Sequence, residues 1–194
     1  MTLGLASVIL MTTSACGVSD LAEDARNLLP SGIPTSISVG TLESLTAFSP
    51  GEIMFLQMMI PHHEQAVTIS NLAISQTNNV AVLELASRIA GAQQPEIDQM
   101  KKLLTDAGLP ILLDHDMGMN GMVPQSEIDK MAQLTDAAFD ELFLSAMILH
   151  HEGAIAMTSA VLESSNPEIK ALADKITQTQ LAEIEEMKLL LATQ

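Results

Sequence analysis

The sequence predicts an all-α protein: four long helices arranged as two repeated αα-hairpins, with a long crossover between them. Three observations carry this. Phe55-Leu56-Gln57-Met58-Met59-Ile60-Pro61-His62-His63-Glu64-Gln65-Ala66 aligns with Phe143-Leu144-Ser145-Ala146-Met147-Ile148-Leu149-His150-His151-Glu152-Gly153-Ala154, and further on Arg88–Lys101 aligns with Lys175–Lys188. Ala, Leu, Ile and Met supply the hydrophobicity, while the 194 residues include four Phe and no Tyr or Trp, a composition that favours helix over sheet. Helix-start and helix-stop residues fall at the edges of the repeated segments.

Taken in order, Ser49-Pro50-Gly51-Glu52 opens the first helix, with Ser as N-cap, Pro at the first position and Glu at the third. It spans 50–76. The second spans 79–107 and is stopped by Gly108-Leu109-Pro110. A link over 109–134 holds a short helix near 126–133. The third long helix runs over 136–164, and Asn166-Pro167-Glu168 opens the fourth, which continues to 192. Pro61 and Pro95 have no proline counterpart in the other copy, so each is expected to kink its helix locally. Two hairpins with one long crossover are the plan of a ferritin-like bundle. The domain begins at 49 and takes up the rest of the chain.

Helical spacing then sorts the polar residues. Phe139, Phe143, Met147, His150, Ala154, Met157 and Val161 recur in threes and fours, as do Phe55, Met59, His62, Ala66, Ile69 and Ala73. His62 and His150 therefore sit in the middle of apolar stripes. His63 and His151 lie about 100° round, on the flank, and Glu64 and Glu152 face water. On the second and fourth helices, Ala86, Ile89, Gln93, Glu96, Met100 and Leu103 match Ala173, Ile176, Gln180, Glu183, Met187 and Leu190. Each hairpin thus offers His, Met, Gln and Glu to the interior. A core Glu is costly unless it is paired or bound to metal.

Histidine is a common metal ligand, and four of the five histidines fall in the repeated doublets. Ferritin-like di-iron sites use Glu-x-x-His; here the residue three before the first His of each doublet is Met59 or Met147, a soft thioether in place of a hard carboxylate. Sulfur with imidazole suits Cu(I), and His with carboxylate accommodates Cu(II). A second cluster, Asp114-His115-Asp116-Met117-Gly118-Met119-Asn120-Gly121-Met122, places three thioethers and an imidazole in the link, where helical packing does not account for them. Gln93, Glu96, Met100, Gln180, Glu183 and Met187 are candidates for further ligands, or for groups that orient the histidines. A buried His–Glu/Gln layer that only sets helix register stays open as the structural alternative.

The duplicated Phe-Leu-x-x-Met-Ile-x-His-His-Glu-x-Ala pattern, the Gln-x-x-Glu-Ile-x-x-Met pattern and the Met-rich link together resemble the bacterial "domain of unknown function 305" family over residues 50–192. The resemblance implies an exported, ferritin-like helical domain whose better understood members bind copper through Met and His and support copper tolerance. Carried onto this chain, it points to Met59, His62, His63, Met147, His150 and His151, with His115, Met117, Met119 and Met122 of the link. Pro61, where the second copy has Leu149, sets the two copies apart.

Residues 3–11 form a short apolar run followed by Thr13-Ser14-Ala15-Cys16-Gly17, which reads as a lipoprotein-type signal peptide over 1–15, with Cys16 acylated. No Lys or Arg precedes the run, and position 13 is Thr. Residues 16–48, rich in Ser, Thr, Gly and Pro, read as a tether. The expected location is the cell surface or periplasm, with the membrane reached only through the lipid anchor. A net charge of −16 argues against nucleic acid and anionic lipid surfaces as partners. The expected function is copper sequestration or transfer, with a metal ion and another copper carrier or transporter as partners. A ferritin-like metal oxidase acting on Cu(I) or Fe(II) is the enzymatic alternative. The shortage of core carboxylates and the lack of Tyr and Trp speak against it.

Overall fold

The computed structural model describes residues 47–112 and 119–193. The expected signal peptide and most of the tether, Cys16, and His115 and Met117 of the link lie outside the described residues. Five helices and no strands occur among those described: α1 (Pro50–Gln76), α2 (Val80–Asp106), α3 (Gln125–Met131), α4 (Asp136–Thr158) and α5 (Pro167–Leu191). None is long and apolar enough to cross a membrane.

The starts follow the residues that predict them. Ser49 Oγ accepts from the Glu52 N–H at 3.3 Å, and Glu52 Oε2 accepts from the Ser49 N–H at 2.6 Å, a reciprocal box that satisfies two otherwise orphaned donors. Glu52 also receives the Ser164 hydroxyl, which ties the start of α1 to the α4–α5 turn. Asn79 and Asn166 cap α2 and α5 with their side-chain carbonyls. Pro61 and Pro95 both sit inside helices that continue past them.

α1 packs mainly on α2 and α4 on α5, and α1 meets α4 across the middle. The apolar side chains form two clusters. One holds Ala66, Ile69 and Ala73 of α1, Val82 to Ile89 of α2, Phe139 to Met147 of α4, and Ile184 and Met187 of α5. The other holds Phe55 to Ile60, Ile97 to Leu104, Ala154, and Ile169 to Ile176. Each cluster takes one end of every long helix, so α1 runs antiparallel to both α2 and α4, and α5 runs antiparallel to α4. The four histidines of the doublets lie between the two clusters. The predicted core stripes are buried as expected, except that Met157, Leu103 and Leu190 are only half-buried.

Two expectations need correction. α4 stops at Thr158, six residues short of the predicted end, and continues in tight turns to Ser164. Thr158 donates to the Ile155 carbonyl and pairs with Thr177, and Ser159 donates to the Ala156 carbonyl. These short polar side chains compete with the helical ladder for its own acceptors. The short helix of the link occupies Gln125–Met131 instead of 126–133.

The link lies along α1, held by three glutamines that periodicity alone does not mark. Gln57 donates to the Pro110 carbonyl at 2.7 Å. Gln65 both donates to the Val123 carbonyl and accepts from the Val123 N–H, at 3.0 and 2.8 Å. Gln76 donates to the Ala132 carbonyl at 2.5 Å.

Candidate metal centre

The antiparallel approach of α1 and α4 brings the two doublets together. His62 and His150 stack with ring centroids 3.8 Å apart and planes 36° apart. All four imidazoles are 0% exposed, including His63 and His151, which helical geometry alone places on the flanks. The reason is that α2 and α5 cover those flanks and present carboxylates there. His63 Nε2 lies 3.1 Å from Glu96 Oε2, and His151 Nε2 lies 2.7 Å from Glu183 Oε2. The same pairing thus recurs in each hairpin.

These contacts set the ring protonation. The Asn120 carbonyl lies 3.2 Å from His62 Nε2, and a carbonyl only accepts, so Nε2 carries the hydrogen and Nδ1 presents its lone pair. Carboxylate oxygens of Glu96 and Glu183 lie against Nε2 of His63 and His151, which leaves Nδ1 as the outward nitrogen of each ring. Among the described residues, Nδ1 of His62, His63, His150 and His151 has no partner, nor has Nε2 of His150. Imidazoles oriented through one nitrogen by a carboxylate or carbonyl, with the other nitrogen free, are arranged as metal-binding histidines are.

Charge on the rings is suppressed. Burial pushes His62 down to about 3, and its neighbour His63 adds to the shift, against the opposing Asn120 bond. Burial also lowers His63, despite the opposing pull of Glu96. His150 is driven well below its usual range by burial and then by the other three histidines. Burial disfavours ionisation of Glu96, but the hydrogen bond and charge of His63, followed by Lys175, outweigh it and hold the carboxyl below its ordinary value. Lys175 Nζ, reaching over from α5, lies 3.3 Å from Glu96 Oε1. Arg88, its counterpart in the repeat, pairs with Glu186 at 2.5 Å instead, so the two halves differ electrostatically. Neutral imidazoles need shed no proton to take a cation.

These shifts carry a pH prediction for the metal-free protein. The unfolded chain protonates its histidines near pH 6.5, whereas the folded values of His62, His63 and His150 lie lower. The unfolded state therefore binds more protons below that pH. The stability linked to the neutral rings is complete above about pH 6.5 and is lost as pH falls towards the folded values. Urea unfolding should show a midpoint that declines as pH falls from about 6.5 to about 4.5. A flat profile there would mean that the folded protein protonates these rings freely.

The other predicted residues fall as follows. Met59 and Met147 are fully buried, one turn before His62 and His150, but they belong to the two different apolar clusters. Met100 and Met187 are likewise buried, each in one cluster. Gln93 and Gln180 are 2% exposed, and neither end of either amide has a partner in the protein. Met119 and Met122 are half-buried on the link, on either side of Asn120 and Gly121. Among the described residues no three His, Cys, Asp or Glu side chains converge on one point. A cation held here therefore calls on sulfur as well, or on a turn of the imidazole rings.

Asn120, Gly121 and Gly153 escaped the sequence reading. Gly121 has φ +81°, and a Cβ on Gly153 would stand 2.2 Å from the Asn120 carbonyl oxygen. The link backbone thus rests directly on α4 beside His150, which brings the Asn120 carbonyl within reach of His62. The repeat alignment held a signal for this. The position after His-His-Glu is Gln65 in one copy, which clamps the link, and Gly153 in the other, which admits it.

The fold and the histidine layer define an all-helical domain with a buried cluster of imidazoles, and comparison gives the family. Residues 52–191 match the model of the "Domain of unknown function (DUF305)" family, and the chain belongs to that family. A DUF305 protein from Streptomyces coelicolor, described as secreted, superposes with TM-score 0.71 at 29% identity, covering 74% of this chain and 93% of the other. CopM in its Cu(I)-bound form superposes with TM-score 0.63 at 29% identity, covering 73% of this chain and 96% of CopM. CopM has also been solved with Cu(II) and with silver. The uncharacterized protein L153 of Acanthamoeba polyphaga mimivirus is 36% identical over 55 residues, 28% of this chain, and the match spans about a third (36%) of its own length.

Proposed function

We propose that this protein is an exported copper-binding protein that sequesters copper or passes it on, using histidine and methionine ligands within a ferritin-like four-helix bundle of two related hairpins. The observation that carries the reading is the buried layer of four imidazoles, drawn from both hairpins, whose Nδ1 atoms have no partner among the described residues. Burying such atoms costs about 1–3 kcal/mol each if nothing ever meets them, and a cation meets whichever of them ligate it. The likeness to CopM, solved with Cu(I) and with Cu(II), favours copper as that cation. His62, His63, His150 and His151 supply nitrogen. Met59, Met147, Met119 and Met122, with His115 and Met117, supply the remaining soft donors. Copper bound there neutralises part of the charge of Glu96 and Glu183.

Binding and release, and not oxidation, is the reading we adopt. Glu96 and Glu183, the only carboxylates on the predicted core seams, are both committed to histidines, whereas a dinuclear oxygen-activating centre wants several free ones. Acylation at Cys16 would hold the domain at a membrane surface, where a copper carrier or transporter is the fitting partner. Titration of Cu(I) against a chromophoric chelator tests the core of the proposal. Stoichiometric withdrawal of Cu(I) from the chelator is expected. Failure to compete, with the protein folded, would leave the layer as a device for helix register alone.

A further inference from the structure

We propose that Gln93 and Gln180 hold an oxygen ligand, water or hydroxide, in the buried histidine layer, so that the site is furnished for the harder, divalent state of the ion as well as the softer one. The inference rests on the copper reading above and adds to it a component that imidazole and thioether donors do not supply.

Both glutamines are 2% exposed, and among the described residues the Oε1 and Nε2 atoms of each lack any partner. They lie on the stretch over which α2 and α5 are tied together. On α2, Gln93 falls between Arg88 and Glu96; on α5, Gln180 falls between Lys175 and Glu186. Arg88 pairs with Glu186 and Lys175 with Glu96, so the two cross-helix ion pairs bracket both amides. One turn after each glutamine on the same face comes Glu96 or Glu183, already joined to His63 or His151.

The chemistry of an amide decides what can meet it. A cation can satisfy the lone pair of an imidazole that ligates it, and it could satisfy a glutamine oxygen. It cannot satisfy an amide NH2, which only donates. Two glutamines bring four such N–H donors into the interior, and their amide nitrogens reach neither Glu96 nor Glu183. Leaving them unmet costs about 1–3 kcal/mol for each group. An oxygen ligand meets both ends of the amide: it accepts from Nε2–H and, as water, donates to Oε1. Oxygen donors suit Cu(II) better than Cu(I). Gln93 and Gln180 are thus positioning residues that let one site hold copper through a change of oxidation state.

The test uses the full chain loaded with Cu(II) and exchanged into 17O-enriched water, read by pulsed electron paramagnetic resonance. The wild type should show 17O hyperfine coupling. Gln93→Leu with Gln180→Leu should lose most of that coupling per bound Cu(II), the Cu(II) content being measured by mass spectrometry. Each single variant should lose about half, which keeps the test decisive if the double variant does not fold. A protein that loads Cu(II) but shows no coupling, or variants that retain it in full, overturns this inference and leaves the copper reading standing. A folded wild type that takes up no copper in either state overturns both.

Discussion

Replacing His62 and His150 together with alanine lowers copper affinity by more than tenfold, while the helical circular dichroism survives. The two rings meet where α1 crosses to α4, with centroids 3.8 Å apart and no exposure. A tenfold loss corresponds to about 1.4 kcal/mol, which is modest for two nitrogen ligands removed from a dry site. The fold should tolerate the change because two penalties oppose each other. Deleting buried rings opens a cavity, at a cost of about 2–5 kcal/mol by analogy with core truncations. The same change removes three ring nitrogens that have no partner in the metal-free protein, which is a gain. The apolar clusters on either side remain whole. Competition titration against a Cu(I) chelator reads the affinity, and far-ultraviolet dichroism reads the fold. Unchanged affinity would move the site to the Met-rich link, and collapse of the dichroism would make the ring pair chiefly structural.

Gly153→Ala destabilises the protein by about 1–3 kcal/mol, the range for forcing extra atoms into a packed interior. The new Cβ would stand 2.2 Å from the Asn120 oxygen, 2.7 Å from the Asn120 carbonyl carbon and 2.7 Å from the Gly121 Cα. All three are backbone atoms, so no side chain can swing aside and the link itself must lift. Lifting it takes the Asn120 carbonyl away from His62 Nε2, so copper affinity should fall as well, by less than in the double histidine variant. Gly91→Ala serves as the control. A Cβ there meets nothing within 4 Å, and the residue is exposed in mid-helix, so alanine should stabilise by up to about 1 kcal/mol. Urea midpoints for the two variants should therefore move in opposite directions. Equal and small shifts would show that the link does not bear on α4 in solution.

Much of the architecture could be read from residue order. The spacing of Phe139, Phe143, Met147 and His150, and of Phe55, Met59 and His62, marks buried faces, and those residues are buried. Ser49 and Asn166 cap the helices that their positions announce. Gln93, Glu96, Gln180 and Glu183 lie on the inner seams as their spacing requires. These features are local: helix period and capping depend on neighbours within a few residues. Local chemistry also misled at one place. Thr158 and Ser159 lie inside an apparently continuous periodic run, yet their side chains take the carbonyls that the helix would need.

Periodicity told which residues face inwards, and the repeat told that the chemistry comes in two copies. Neither could tell what each side chain meets. His63 and His151 count as flank positions on an isolated helix, and they are sealed only because α2 and α5 lie across them with Glu96 and Glu183. The tautomer of His62 depends on a carbonyl 58 residues away, and that carbonyl is in place because Gly153 lacks a side chain. The difference between the two halves comes from Lys175 crossing to Glu96 while Arg88 turns to Glu186. Contacts of this kind are made between segments far apart along the chain. Their geometry is set by how whole helices pack, and no short stretch of residues encodes it.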